Sequence, residues 1–189
     1  AICFYNDKAD SEILIDDVQL VKVSDIEDIP VIVKYDFEEQ SVPTGWEAKG
    51  SELALSTDHY TSGVQCLEWT VNENNATIEF PLGSDGMKLT SRNAAFFNIY
   101  APAVTGNVIY VDFLNVKGES VKKATLLQNF KGWREFSRAY NEYENTGDET
   151  AVRVRFTYSI KEGNAAGAKV YLDNMNLNST VDGNRQYPE

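Results

Sequence analysis

The sequence VRVRFTYSI, residues 152–160, carries an apolar side chain at every second position. Successive side chains of a β-strand point to opposite faces, so this pattern predicts a strand with one buried face and one solvated face. Half-buried strands of this kind are typical of antiparallel sheets. The solvated face would present Arg153 and Arg155.

The same alternation recurs on both sides of this strand. Residues that favour turns separate the runs, and no long stretch keeps a helical period. Many short strands at near-regular spacing predict an all-β fold, and about ten strands suit a two-sheet antiparallel jelly-roll sandwich. The shorter alternating runs lie at residues 32–37, 53–56, 65–71, 77–81, 95–101, 109–114, 124–127, 133–139 and 169–177.

Length and an internal echo predict how the chain is divided. The 189 residues, 42% of them hydrophobic, suffice for one core and are too few for two ordinary domains. The stretch ILIDDVQL at 13–20 is similar to VYLDNMNL at 170–177. We therefore expect residues 1–30 to be the closing hairpin of an upstream β-sandwich module plus an acidic linker, and residues 31–179 to form the β-sandwich domain. The alternative is that any two apolar hairpins look alike.

The charge excludes one class of partner and suits another. The net charge is −12, with 17 basic and 29 acidic residues. A protein this acidic lacks the phosphate-neutralising surface that nucleic acids require, and tight binding of an anionic polysaccharide by charge alone is disfavoured. A surplus of carboxylates suits a hard cation such as calcium, although solubility explains most of them. No apolar run is long enough for a membrane helix, so we expect no membrane insertion.

Residues for catalysis are scarce in the sequence. His59 is the only histidine and lies in a turn-like segment, where a solvated residue is more common than a general base. No nucleophile elbow, phosphate-binding loop or zinc-protease motif is present. The two cysteines, Cys3 and Cys66, are expected to be small buried hydrophobes, with a disulfide between them as the alternative. We therefore predict no catalytic residue.

Aromatic and basic residues are the candidates for carbohydrate binding, because the apolar face of a sugar stacks on a ring. Trp46 follows Thr44-Gly45 in a predicted loop and is expected to be the best-exposed ring. Trp69 and Trp133 are expected in the core. Arg153 and Arg155 could meet an acidic glycan or a partner domain, or could pair with carboxylates across the strand.

Several short motifs together carry a family resemblance. They are YDFE at 35–38, SGVQCLEW at 62–69, FKGWR at 130–134, AKVYLD at 168–173 and DGNRQY at 182–187. Over residues 31–189 the sequence resembles the non-catalytic N-terminal domain of polysaccharide lyases of the chondroitin sulfate ABC lyase type. The resemblance implies a galactose-binding or carbohydrate-binding-module-like sandwich. It also implies that residues 180–189 form an exit linker toward a catalytic domain that this sequence does not include.

The resemblance implies an accessory role. We expect a non-catalytic domain of a secreted, periplasmic or cell-surface polysaccharide lyase that acts on glycosaminoglycan-type glycans. Its partners would be a polysaccharide and the downstream catalytic domain of the parent chain. The alternatives are an autonomous carbohydrate-binding module, or a structural surface module of another glycan-degrading protein.

The resemblance also implies a structural calcium site. The similar lyase domain binds a metal between its first strand, its SG-x-Q turn and its last strand. The corresponding ligands here would be Asp36, Ser62 through its carbonyl, Gln65 and Asp173, with Glu38 as a substitute if Asp36 points into solvent. Carboxylate, amide and carbonyl oxygens are the ligands that calcium takes. Such an ion would act on stability rather than on catalysis.

Overall fold

The computed structural model describes residues 34–83, 85–90, 93–145, 150–161 and 167–180. The predictions for residues 1–30 and 181–189, and the question of a Cys3–Cys66 disulfide, lie outside these residues. The strands are β1 (Lys34–Tyr35), β2 (Glu47–Lys49), β3 (Ser51–Ser56), β4 (Cys66–Val71), β5 (Ala76–Pro81), β6 (Met87–Lys88), β7 (Asn93–Ala101), β8 (Val108–Leu114), β9 (Ser120–Leu127), β10 (Gly132–Ala139), β11 (Glu144–Asn145), β12 (Thr150–Ala151), β13 (Arg153–Ser159) and β14 (Ala168–Thr180). A single 3₁₀ turn, Tyr140–Glu142, interrupts the strands of this described part.

The strands form two large antiparallel sheets. The first sheet has the order β10-β7-β14-β4-β3, and β1 pairs with β14. The second sheet has the order β11-β9-β8-β13-β5-β2, and the short strands β12 and β6 form a separate pair. The predicted all-β fold of antiparallel sheets is confirmed. The jelly-roll connectivity stays a prediction.

The core lies between the two sheets. On β13, Val154, Phe156 and Tyr158 are fully buried, as the alternation predicted. Tyr158 meets the edge of the Trp69 ring of the first sheet at 5.8 Å, and Phe156 lies 5.3 Å from Phe97. Each such aromatic side chain contributes about 1.5–3 kcal/mol through burial, so these contacts hold the sheets face to face. The core position expected for Trp69 is confirmed.

Strand β14 connects the elements that build the candidate site. It pairs with β7 along one edge and with β4 and then β1 along the other. Its pairing with β7 shifts register between Asp173 and Asn176, and Asn174 in this bulge has φ 47°. Asparagine tolerates this left-handed conformation better than most residues. The bulge lies directly after Asp173 and ends the regular part of the strand there.

Candidate functional site

The first feature of the site is a junction between the segment after β1 (residues 36–39), the turn at residues 61–65, and Asp173 of β14. Asp173 is fully buried. Its Oδ2 accepts hydrogen bonds from the Thr61 amide (2.6 Å), the Thr61 hydroxyl (2.6 Å) and the Ser62 amide (3.1 Å). Its Oδ1 accepts a bond from the Asn174 amide at 2.7 Å. A buried carboxylate needs such donors, because taking a charge out of water costs several kcal/mol.

The other end of the turn is bound by the segment after β1. Glu38 Oε1 accepts hydrogen bonds from the amides of Val64 (3.0 Å) and Gln65 (3.2 Å). In return, Gln65 Nε2 donates to the carbonyls of Phe37 (2.7 Å) and Glu39 (2.6 Å). Gly63 has φ 66°, and a Cβ there would lie only 2.1 Å from Glu38 Oε1. The glycine therefore allows the carboxylate to reach the backbone of the turn.

The junction brings together most of the predicted metal ligands, with one exception. Ser62, Gln65 and Asp173 make contacts within it, Ser62 and Gln65 through N–H donors, whereas Asp36 is exposed and accepts only a long 3.5 Å bond from the Glu38 amide. The carboxylate that contacts the turn is that of Glu38. Among the described residues, no group of three or more histidine, cysteine, aspartate or glutamate side chains is placed to hold a metal ion. A cation here would therefore depend on carbonyl and amide oxygens as well as carboxylates.

The second feature is an aromatic row on the outer face of the first sheet, formed by Trp133, Tyr100, Tyr171 and His59. Trp133 of β10 is paired in register with Tyr100 of β7, which is paired with Tyr171 of β14. The rings of Trp133 and Tyr100 lie 5.5 Å apart at 64°. His59 stacks on Tyr100 at 3.9 Å and meets the edge of Tyr171 at 4.7 Å. Trp133, Tyr100 and His59 are half-buried, so part of each ring faces solvent.

Charged side chains continue the row toward β4. Glu68 is paired in register with Tyr171 and forms a 2.7 Å salt bridge with Lys169. Burial, together with the charge and hydrogen bond of Glu68, raises the pKa of Tyr171 to about 12. The hydrogen bond to Glu68 also raises the pKa of Lys169. At neutral pH the Tyr171 phenol is therefore un-ionised, and it lies beside the salt bridge between Glu68 and Lys169.

The residues predicted to bind carbohydrate lie elsewhere. The expectation that Trp46 is the best-exposed ring is wrong, because its ring stacks on Phe80 at 4.0 Å and meets the edge of Tyr35 at 5.1 Å. Arg153 and Arg155 lie on the outer face of the second sheet, as the alternation predicted. Both bind Glu79, at 2.5 and 2.8 Å, so cross-strand pairing accounts for them. Their proposed role in glycan binding stays an untested prediction.

Sequence reasoning missed the aromatic row. Trp133 was expected in the core, yet it lies half-buried on the outer face; His59 and Tyr171 were not considered as platform residues. Strand alternation was the signal that could have identified these residues. Trp133 directly follows Gly132, the turn glycine that starts β10. Tyr171 lies between Val170 and Leu172, whose side chains are buried in the core, so its own side chain points to the opposite face of the sheet. Cys66, in contrast, is a buried small residue as predicted. Burial and the nearby Asp173 raise the pKa of its thiol to about 12, so the thiolate is not formed at neutral pH.

Comparison with known families places the chain among lyase domains. A family model described as "Lyase, N terminal" matches residues 33–189. A search of curated protein sequences finds no match. None of the described segments forms an apolar helix of membrane-spanning length.

Solved structures with a similar fold are carbohydrate-active proteins. A family 11 carbohydrate-binding module from Clostridium thermocellum, solved with a β-1,3-1,4-mixed-linked tetrasaccharide, superposes with a TM-score of 0.54 at 11% identity, over 78% of this chain and 94% of the module. A family 22 module of Clostridium thermocellum Xyn10B gives 0.52 at 14% identity, over 82% and 99%. An exo-β-agarase gives 0.60 at 8% identity, over 78% of this chain and 25% of the agarase. At these identities the likeness shows the β-sandwich fold.

Proposed function

The chain belongs to the family of lyase N-terminal domains, and we propose that it is a non-catalytic accessory domain that contacts the polysaccharide for a lyase domain of its parent chain. The observation that carries this proposal is the aromatic row on the outer face of the first sheet. The carbohydrate-binding-module fold supports the proposal, since the row lies on a sheet surface of that fold.

The row has the properties of a sugar platform. Its rings are fixed by one another and by strand register, so little side-chain entropy would be lost when a ligand binds. Trp133 and Tyr100 span two adjacent strands, and the solvent-facing parts of their rings would contact the apolar side of a pyranose. Asn98 and Glu135, the next paired positions on the same face, supply an amide and a carboxylate for sugar hydroxyls.

We propose no catalytic role for this domain. His59 contacts Tyr100 and Tyr171 within the row, where stacking accounts for its position. Elimination from a uronate needs a base and an acid placed together, and a catalytic domain elsewhere in the parent chain would supply them. We also propose that the parent protein is secreted, periplasmic or bound at the cell surface, where polymeric glycans are found.

Affinity electrophoresis with a panel of neutral and acidic polysaccharides tests the platform. Trp133→Ala should weaken retention by about tenfold or more, because the largest exposed ring of the row is lost. Tyr110→Ala is the matched control, since Tyr110 is a half-buried ring on the outer face of the second sheet, with Lys123 4.4 Å above it. Equal effects of both variants, or no retention by any polysaccharide, would contradict the platform. Trp133 would then be a contact for a neighbouring domain.

We also propose that the junction binds a calcium ion, with Glu38 as a ligand in place of Asp36. The support for this site is a set of oxygen atoms that surround the turn at residues 61–65 from two elements. They are the Phe37 and Glu39 carbonyls and the Glu38 carboxylate of the segment after β1, and the Asp173 carboxylate of β14. When bound, the ion would join the first strand to the last and raise the melting temperature. Calcium added after chelation should raise the melting temperature of the wild type and of Asp36→Asn, but not of Glu38→Gln. An unchanged melting temperature in the wild type would refute the site.

A further inference from the structure

A groove between the two sheets lies beside the aromatic row. It has a volume of about 310 Å³ and runs between β10 and the last residues of β9. Within the described residues, β10 pairs only with β7, and β9 from Thr125 to Leu127 pairs only with β8. Both walls of the groove are therefore strand edges. Trp133 of the aromatic row immediately precedes Arg134, which lines the groove.

Two arginines of β10 lie in this groove. Arg134 and Arg138 are four residues apart on the same face of the strand, about 13 Å along it, with buried Phe136 between them. Arg134 is held in place: its Nη1 donates to Asn129 Oδ1 at 3.0 Å, and its guanidinium lies 5.4 Å from the Phe130 ring centroid. Of its five N–H donors, one is used by the described residues.

These arginines differ from the other described pair. Arg153 and Arg155 are bound by Glu79, and Arg153 also by Glu47 at 3.2 Å. Within the described ranges, neither Arg134 nor Arg138 has a carboxylate within salt-bridge distance. Glu135 also lines the groove. It lies opposite Asn98 in the strand register, and strand alternation directs its side chain to the outer face of the sheet, the same face as Trp133.

We propose that the groove binds the carboxylate or sulfate groups of an acidic polysaccharide segment whose neighbouring sugars lie on Trp133. The proposal rests on the proposed function, because the ligand is the same glycan. Arginine forms paired hydrogen bonds with planar carboxylate and with sulfate-like oxygens, and the edge of β10 that is unpaired within the described residues adds backbone donors. The groove thus gives a protein of net charge −12 a local site for anionic groups.

A charge-matched comparison tests the groove in the whole chain. The probes are a chondroitin sulfate oligosaccharide and a neutral β-glucan oligosaccharide, titrated by calorimetry at low and moderate salt. Arg134→Gln combined with Arg138→Gln should weaken binding of chondroitin sulfate by about tenfold or more and leave the neutral probe unchanged. Lys88→Gln combined with Lys117→Gln makes the same charge change at two exposed lysines and should have little effect.

Three results would overturn the proposal: no binding of chondroitin sulfate, equal weakening by the two double variants, or binding of an acidic peptide in its place. If the arginine-to-glutamine variant does not fold, Arg134→Lys with Arg138→Lys keeps the charge and should still weaken binding through loss of the paired bonds. Failure of the proposed function is distinguishable from failure of the groove. In the first case Trp133→Ala would leave the affinity for the neutral probe unchanged, while binding of chondroitin sulfate would still depend on the two arginines.

Discussion

The outer faces of the two sheets carry different kinds of side chain. On the first sheet, His59 stacks on Tyr100, Trp133 meets Tyr100 edge to face, and all three rings remain partly open to solvent. On the second sheet, Glu79 neutralises both Arg153 and Arg155. Paired charges have their partners within the domain, whereas the rings of the first face keep exposed surface that is available to a ligand or another domain. This difference favours the first face over the second as the binding surface that the proposed function requires.

The largest expected loss of stability comes from removing the Asp173 carboxylate, which holds the turn beside the first face. Asp173→Ala should lower the free energy of unfolding by about 3 kcal/mol or more, because the donors of Thr61 and Ser62 lose a buried charged partner. Urea unfolding would measure the loss. Asp112→Ala is the control on the second face, where a half-buried carboxylate accepts a 2.8 Å bond from Ser120 and should cost about 1 kcal/mol. Similar losses would remove the energetic difference between the faces.

Alkaline pH should also affect the first face. The folded pKa of both Tyr171 and Cys66 is about 12, chiefly through burial, against usual values of 10 and 9. Their contribution to stability is therefore complete below about pH 9 and is lost as the pH rises toward 12. Unfolding free energies measured at stepped pH should fall less steeply for Tyr171→Phe than for the wild type. Equal slopes for the wild type and Tyr171→Phe would mean that the row does not shield the Tyr171 phenol from solvent.

The smallest effect is expected on the second face. Glu79→Gln removes the partner of two arginines, yet the arginine side chains are 30% and 38% exposed, so the cost should be about 1 kcal/mol or less. Chemical denaturation at low and high salt should show the difference between wild type and variant shrinking as salt rises. A loss that is larger and independent of salt would make this face a structural network.

The sequence predicted the sheets better than the surfaces. Alternation is a local property, so the buried positions of β13 and the core role of Trp69 could be inferred from short windows. Trp46 shows the limit. It follows a turn glycine, but its ring packs against Phe80 of β5 and Tyr35 of β1 at the border of the core. A loop position does not reveal which way an aromatic ring packs.

The junction was predicted in its elements but not in its details. The motifs identified the turn and the last strand, and Thr61 and Ser62 do bind Asp173. The choice between Asp36 and Glu38 depended on the backbone at Phe37, which has φ 59° and reverses the simple alternation of the strand. The aromatic row depended on the register of β10, β7 and β14, which is a long-range property that a single sequence does not state.

The pairing of β1 with β14 has a mechanical consequence. Lys34 lies opposite Asn176 and Tyr35 opposite Met175, in antiparallel register, so the chain enters and leaves the described sandwich at the same end of this pair. Tension applied from both sides would load this pair from that end, and on the C-terminal side it would also load the pairs that Ser179 and Thr180 form with Ala94 and Asn93 of β7. The hydrogen bonds from the Gln65 side chain to the Phe37 and Glu39 carbonyls lie just beyond that pair and would be the next to bear the load.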